Sequence, residues 1–251
     1  MSQKIAIITG GSRGLGKDMA INLAKDGVNI IFSYYKNENK AKDVIAEIEA
    51  LGQKAAAFPF DANNFKSGQQ FIDKATKYLK KENGGTNFDF LINNAGTGTY
   101  NLVSNTTETQ FNEMMNVHLK SVYFLTQAAL PFLNEHGRII NISSGLARFS
   151  LPGMSAYAMM KGGIEVFTRY LAKELGQRNI TANVIAPGAI ATDFAGGSNK
   201  DKEKAALISN ITALGRVGEA KDIGGTVAFL CSERAGWING QRIEASGGMV
   251  V

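Results

Sequence analysis

Short apolar runs recur along the chain, separated by segments of helical length. Lys4–Ile8, Val28–Phe32, Ala55–Phe60, Phe88–Ile92, Arg138–Ile142, Thr181–Ile185 and Gln241–Glu244 read as strands. Between them, Asn39–Leu51 sets Val44, Ile45, Ile48 and Leu51 on one face at helical spacing, and Phe71, Ile72, Ala75 and Leu79 repeat the pattern. A further helical stretch runs from about Ser155 to Gly176. This β-α alternation predicts an α/β fold, a parallel sheet of about seven strands covered by helices on both faces. Crossovers in such sheets are right-handed and ligands bind beyond the carboxyl ends of the strands, so the loops after each strand are where chemistry is expected. Residues 189–216 lack a strand, carry Gly196-Gly197-Ser198-Asn199 and continue into a charged helical piece, Lys200–Ser209. Both a flap over a site and an ordinary surface excursion fit that stretch.

At 251 residues, with 44% hydrophobic and 20% charged positions and only 4 Pro, the chain reads as one globular domain spanning 1–251. One Cys rules out an intramolecular disulfide, and with 2 His there is no Cys/His cluster to hold a metal. Met1-Ser2-Gln3-Lys4 leads directly into the first apolar run, too short for a signal segment, and no stretch is long enough to span a membrane. The expectation is a soluble cytoplasmic protein. The net charge of +5 is dispersed: Lys36, Lys40, Lys42, then Lys77, Lys80, Lys81, then Lys200, Lys202, Lys204 alternate with acidic residues, which describes solvated faces and not a nucleic-acid patch. The 28 Gly change the picture more, because glycine accumulates where chain and ligand approach closely.

The first strand is followed by Thr9-Gly10-Gly11-Ser12-Arg13-Gly14-Leu15-Gly16, which opens a helical pattern. Its glycines lie where a pyrophosphate meets a helix N-terminus, although the spacing is Gly-x-x-x-Gly-x-Gly and not the usual Gly-x-Gly-x-x-Gly. Tyr157-Ala158-Met159-Met160-Lys161 sets a phenol and an ammonium four apart on one helix face. A neighbouring cation stabilises a phenolate, so Tyr157 is expected to exchange protons nearer neutral pH than a free phenol. The remaining chemistry-bearing types read blandly. Cys231 is a small buried thiol, His118 and His136 lack partners of a catalytic set, Trp237 is packing, and no Gly-x-Ser-x-Gly elbow exists.

Together with Asn93-Asn94-Ala95-Gly96, Asn116-Val117-His118, Ser143-Ser144-Gly145 and Pro187-Gly188, each placed at or after the expected strand, these motifs resemble the short-chain dehydrogenase/reductase family, in its Tyr-x-x-x-Lys branch. The similarity runs from Lys4 to Met249 and implies a single-domain Rossmann fold with a doubly wound parallel sheet. It implies that Tyr157 is the proton donor in carbonyl reduction and that Ser144, with Ser143 as rival, bonds the carbonyl oxygen. Lys161 would lower the Tyr157 pKa and bond the nicotinamide ribose, and Asn116 would shape a kinked helix that holds a proton-relaying water. These are general-acid and oxyanion-stabilising roles beside a hydride-carrying cofactor.

The resemblance further implies cofactor contacts from Gly10, Ser12, Arg13, Gly14, Leu15 and Gly16, from Ser33, Tyr34, Tyr35 and Lys36, and from Asp61 and Ala62. Asn94, Ala95, Gly96, Pro187, Gly188, Ile190 and Thr192 complete that set. NAD-selective members place an acid after the second strand, where this chain has Tyr34, and Arg13 with Lys36 can supply charge for a 2′-phosphate, so NADP(H) is expected. The substrate pocket is expected from Ser144, Leu146, Phe149, Met154, Tyr157, Gly188, Ala189 and Phe194, a mainly apolar lining suited to small-molecule ketones. A 3-oxoacyl-(acyl-carrier-protein) reductase is one alternative. It would dock an acidic carrier through paired arginines, of which Arg178 is present while Glu135 replaces the other. A sugar or polyol dehydrogenase is a second, and a non-catalytic NADP(H) sensor a third. By analogy the assembly is a homotetramer, with a dimer as the smaller option.

Overall fold

The computed structural model describes residues 3–251; Met1 and Ser2, and with them the start of the N-terminal segment, lie outside the described residues. Seven strands form one sheet: β1 (Ile5–Ile8), β2 (Asn29–Tyr34), β3 (Ala55–Pro59), β4 (Phe88–Asn93), β5 (Leu133–Ile142), β6 (Thr181–Pro187) and β7 (Arg242–Ala245). Their order is β3-β2-β1-β4-β5-β6-β7, and every neighbouring pair is parallel. The strands are close to those read from the apolar runs, as expected where both faces are buried. The helices are α1 (Gly14–Lys25), α2 (Glu38–Ala50), α3 (Phe65–Asn83), α4 (Glu108–Met115), α5 (Ser121–Ala129), α6 (Ser155–Glu174), α7 (Lys202–Asn210) and α8 (Lys221–Cys231).

Because a strand's side chains alternate faces, Ile8, Phe32 and Ile140 turn to one core and Ile7, Ile31 and Ile139 to the other. The first core is roofed by Met19 and Leu23 of α1, Val44 and Ile48 of α2, and Ile223 and Val227 of α8. Phe71 and Leu79 of α3, Leu125 of α5 and Leu171 of α6 close the second. The strand order reverses between β1 and β4, and that switch point opens a crevice at their carboxyl ends.

Three expectations change. β5 begins five residues before Arg138: its pairing with β4 steps from Phe88–Leu133 to Phe90–Arg138, and His136 takes a left-handed φ of 60° inside the irregular stretch. Leu51 falls at the end of α2 and is 40% exposed. Trp237 is 99% exposed, so it packs against nothing in this chain. Cys231 is buried, and burial pushes its thiol up to about 12. The 189–216 segment is folded and tied to the body by bridges at Ile190–Gly218 and Thr212–Met249. Among the described residues no helix is long and apolar enough to cross a membrane.

Candidate active site

The glycine loop sits at the switch point. Gly10 has φ +70°, and its amide donates to Ser33 Oγ at 2.9 Å, which ties the loop to the end of β2. Gly16 in the first turn of α1 lies against the loop so closely that a Cβ there would be 2.2 Å from the Gly10 carbonyl oxygen. Thr9 joins this loop to the next strand end: its Oγ1 accepts from the amides of Asn94 at 2.9 Å and Ala95 at 3.0 Å, while Asn94 Nδ2 donates to the Thr9 carbonyl at 2.9 Å. No side chain caps the start of α1 and no acid lies in its first turn. The free amides and positive end of the helix therefore face the crevice, a cradle that fits the diphosphate of a dinucleotide.

Around this cradle the expected cofactor residues gather unevenly. Ser12, Leu15, Tyr34, Asp61 and Ala62 are partly buried, whereas Arg13, Tyr35 and Lys36 are exposed. Lys36 lies over the ring of Tyr35, 4.8 Å from its centroid. Lys40, in the first turn of α2, is a further cation beside the loop. Its Nζ is 3.6 Å and Arg13 NH1 3.7 Å from Asp193 Oδ2, while Lys200 holds the other oxygen, Oδ1, at 2.6 Å. Asp193 adjoins Thr192, whose side chain overlies Gly14. Pro187 ends β6, Gly188 donates to the Ala245 carbonyl at 3.2 Å, and Ile190 is buried where the segment leaves the sheet.

Ser144 ends the extended path of β5, and its Oγ accepts from the Leu146 amide at 3.2 Å. Ser144 also lies beside Tyr157, where it pulls the phenol's pKa down, though less than burial raises it. Ser143 turns elsewhere: its Oγ donates to Glu165 Oε1 at 2.8 Å, so the rival serine is engaged away from the phenol. Tyr157 and Lys161 are both buried on α6, with the ammonium 5.5 Å from the ring centroid and donating to the Ile142 carbonyl at 2.7 Å. The expectation that Lys161 lowers the phenol is corrected here. Burial pushes Tyr157 up to about 12 against the smaller pull of Ser144, and burial brings Lys161 down to about 7.

Asn116 begins a turn of π-helix, Asn116–Lys120, between α4 and α5, which is the expected kink. Its side chain donates to Asn63 Oδ1 at 3.1 Å. His118 in the same turn is buried, its ring edge-to-face with Tyr157 at 4.9 Å and its Nε2 2.6 Å from the Thr97 carbonyl. Burial, then the charge of Lys161, hold its pKa well below the ordinary imidazole value. Leu146 and Met154 pack with Tyr157, Phe149 covers Gly145, and Phe194 leans on the Tyr157 ring at 6.0 Å. Ala189 adjoins this wall at the start of the crossing segment and is partly buried.

Residues 10–250 match the model of the family described as enoyl-(acyl carrier protein) reductase. Over 251 residues the chain is 37% identical to the 3-oxoacyl-[acyl-carrier-protein] reductase FabG of Haemophilus influenzae, covering 99% of each. The chain belongs to the short-chain dehydrogenase/reductase family. An uncharacterized oxidoreductase of Methylorubrum extorquens is 34% identical across 98% of this chain and 97% of its own. Among solved structures of this oxidoreductase family, the angucycline C-6 ketoreductase LanV with bound NADP superposes with a TM-score of 0.94 at 34% identity, covering 98% of this chain and 95% of that one. A Burkholderia cenocepacia short-chain dehydrogenase in complex with NADP gives 0.91 at 32%, over 99% and 98%.

Sequence reasoning missed residues that the structure sets around the candidate site. Lys40 and Asp193 carried no motif, and Thr9 opens the glycine motif but carried no role of its own. His118 stood beside Asn116, yet only its burial against Tyr157 marks it as part of the site.

Proposed function

We propose that this protein is an NADPH-dependent carbonyl reductase, acting on ketones with apolar substituents as a cytoplasmic homotetramer. The observation that carries the reading is the buried Tyr157 phenol beside Ser144, with buried Lys161 on the same helix face. Bound NADPH supplies hydride to the carbonyl carbon. Ser144 orients the substrate oxygen by a hydrogen bond that strengthens as charge grows there, and Tyr157 gives that oxygen its proton. A phenol pushed up to about 12 stays protonated at neutral pH, as a donor must. Lys161 lies where it can bond the nicotinamide ribose, and Gly10–Gly16 with the start of α1 would receive the diphosphate. Arg13 and Lys40 carry the charge for a 2′-phosphate, and the NADP-bound ketoreductase relatives support that choice. Leu146, Phe149, Met154 and Phe194 line the substrate side with apolar surface.

A second reading, 3-oxoacyl-(acyl-carrier-protein) reduction, is favoured by the identity to FabG. Against it, Glu135 sets a carboxylate where the second docking arginine would stand, 2.7 Å from Arg178 Nε, and a reversed charge there repels an acidic carrier.

The test is NADPH oxidation followed spectrophotometrically against aryl ketones, keto esters, acetoacetyl thioesters and sugars, with NADH in parallel. Ketones are expected to turn over with higher kcat/KM for NADPH than for NADH, and Tyr157→Phe to lower kcat about 100- to 10,000-fold. A tenfold advantage for the carrier-bound acetoacetyl thioester over its coenzyme A ester establishes the second reading. Tight NADPH binding without turnover of any carbonyl overturns both.

A further inference from the structure

Behind the Ser144–Tyr157 pair lies a row of alternating charges that the family motifs do not contain. Arg242, on the edge strand β7, reaches across β6. Its Nε donates to Glu165 Oε1 at 2.7 Å, its NH1 to Glu244 Oε2 at 2.7 Å and its NH2 to the Ser144 carbonyl at 3.3 Å. Glu165 Oε1 also takes the Ser143 hydroxyl at 2.8 Å. Glu244 receives a two-pronged contact from Arg148, Nε at 2.9 Å and NH2 at 2.7 Å, and Arg148 in turn holds the Met249 and Val250 carbonyls at 2.9 and 2.8 Å. The side chains of Glu165, Arg242 and Glu244 are only 14%, 23% and 17% exposed. Such pairs are far less screened than surface ones.

Ser144 sits where the sheet runs out. The Ser143 amide makes the last ladder bond, to the Ile185 carbonyl at 2.8 Å, and the chain then turns away at Gly145–Ala147, where the Ala147 amide donates to the Ser144 carbonyl at 3.1 Å. Past that last ladder bond, the serine on which proton delivery depends is held by its own turn and, from the sheet side, by one arm of Arg242 on the same carbonyl. We propose that Arg242 is a positioning residue: it fixes the Ser144 backbone so that the hydroxyl meets Tyr157, and Glu165 and Glu244 hold Arg242 in place. This rests on the reductase reading above. A displacement of about 1 Å at such a group costs on the order of 100-fold in rate. A planar guanidinium with three engaged directions does what a lysine's point charge cannot.

The experiment is a double-mutant cycle on NADPH-dependent ketone reduction with Arg242→Met, Ser144→Ala and the double variant, and the melting temperature of each is recorded. Arg242→Met is expected to lower kcat about 10- to 100-fold with KM for NADPH unchanged within about twofold. In the Ser144→Ala background the same change is expected to cost less than about twofold, because the serine it positions is gone. Should Arg242→Met fail to fold, Glu165→Gln, which keeps the shape and weakens the ion pair, carries the same cycle with a smaller loss. Full kcat in the Arg242 or Glu165 variant, or equal fold losses with and without the Ser144 hydroxyl, overturns the inference. Wild-type protein that turns over no carbonyl overturns the reductase reading itself, and the two failures are thereby distinct.

Discussion

Lys161 is a buried ammonium with one hydrogen bond, to the Ile142 carbonyl, and burial holds its pKa near 7 against an ordinary 10.5. The unfolded chain therefore binds a proton between pH 7 and 10 that the folded chain lacks, so this residue makes stability rise with pH across that window. Tyr157 has the opposite sign, because its raised pKa costs stability only as pH climbs from its ordinary 10 towards about 12. Cys231, raised from 9 to about 12, titrates within the same interval, so the lysine is isolated by difference against its own variant. Relative to Lys161→Met, the wild-type melting temperature is expected to gain roughly 5 °C between pH 7 and pH 10. A constant difference across the interval would refute the burial argument. The four-residue spacing in Tyr157-x-x-x-Lys161 was legible in the chain, and it correctly placed both groups on one helix face. The sign of the phenol's shift was not legible, since desolvation depends on what covers α6 and outweighs the neighbouring charge.

At the scale of elements, the join between the glycine loop and α1 is the most constrained local structure. A methyl on Gly16 would meet the Gly10 carbonyl oxygen at 2.2 Å and Asn94 Nδ2 at 2.6 Å, backbone and a bonded amide that have nowhere to move. Gly16→Ala is expected to destabilise the fold by about 1–3 kcal/mol and to weaken NADPH binding at least tenfold. Calorimetric unfolding and fluorescence titration check this, and wild-type values in both would contradict the close approach. The loop was legible because glycine in that pattern has few other uses. The early start of β5 was not, since Leu133–Gly137 carries polar residues and one left-handed histidine that no strand pattern predicts. Nor was the role of α2, whose Lys40 reaches Asp193 only because the segment after β6 folds back over the glycine loop.

Across the whole molecule, the exposed side chains point to assembly. Met159, Val166 and Tyr170 recur at helical spacing along α6, and all are exposed, as are Tyr123 and Phe124 on the adjoining α5. Tyr123 stacks on Phe167 of α6 at 4.8 Å, so the two helices present one apolar face. Light scattering is expected to give four times the 26.9 kDa chain mass, and Val166→Glu with Tyr170→Glu to reduce it. A monomer in the wild type would refute the assembly.

The alternation of apolar runs and helical periods was enough to determine the α/β layering, the parallel sheet and the loops that bear the motifs, because burial on both faces writes itself into every strand. Tertiary structure alone decided which charges meet. Arg242 and Ser144, 98 positions apart, touch because the arginine side chain reaches from β7 across β6 to the end of β5. Whether Tyr157 is driven up or down depended on burial by segments distant in sequence. Periodicity is a local property of a chain, whereas electrostatics and desolvation depend on distances that only the completed fold sets.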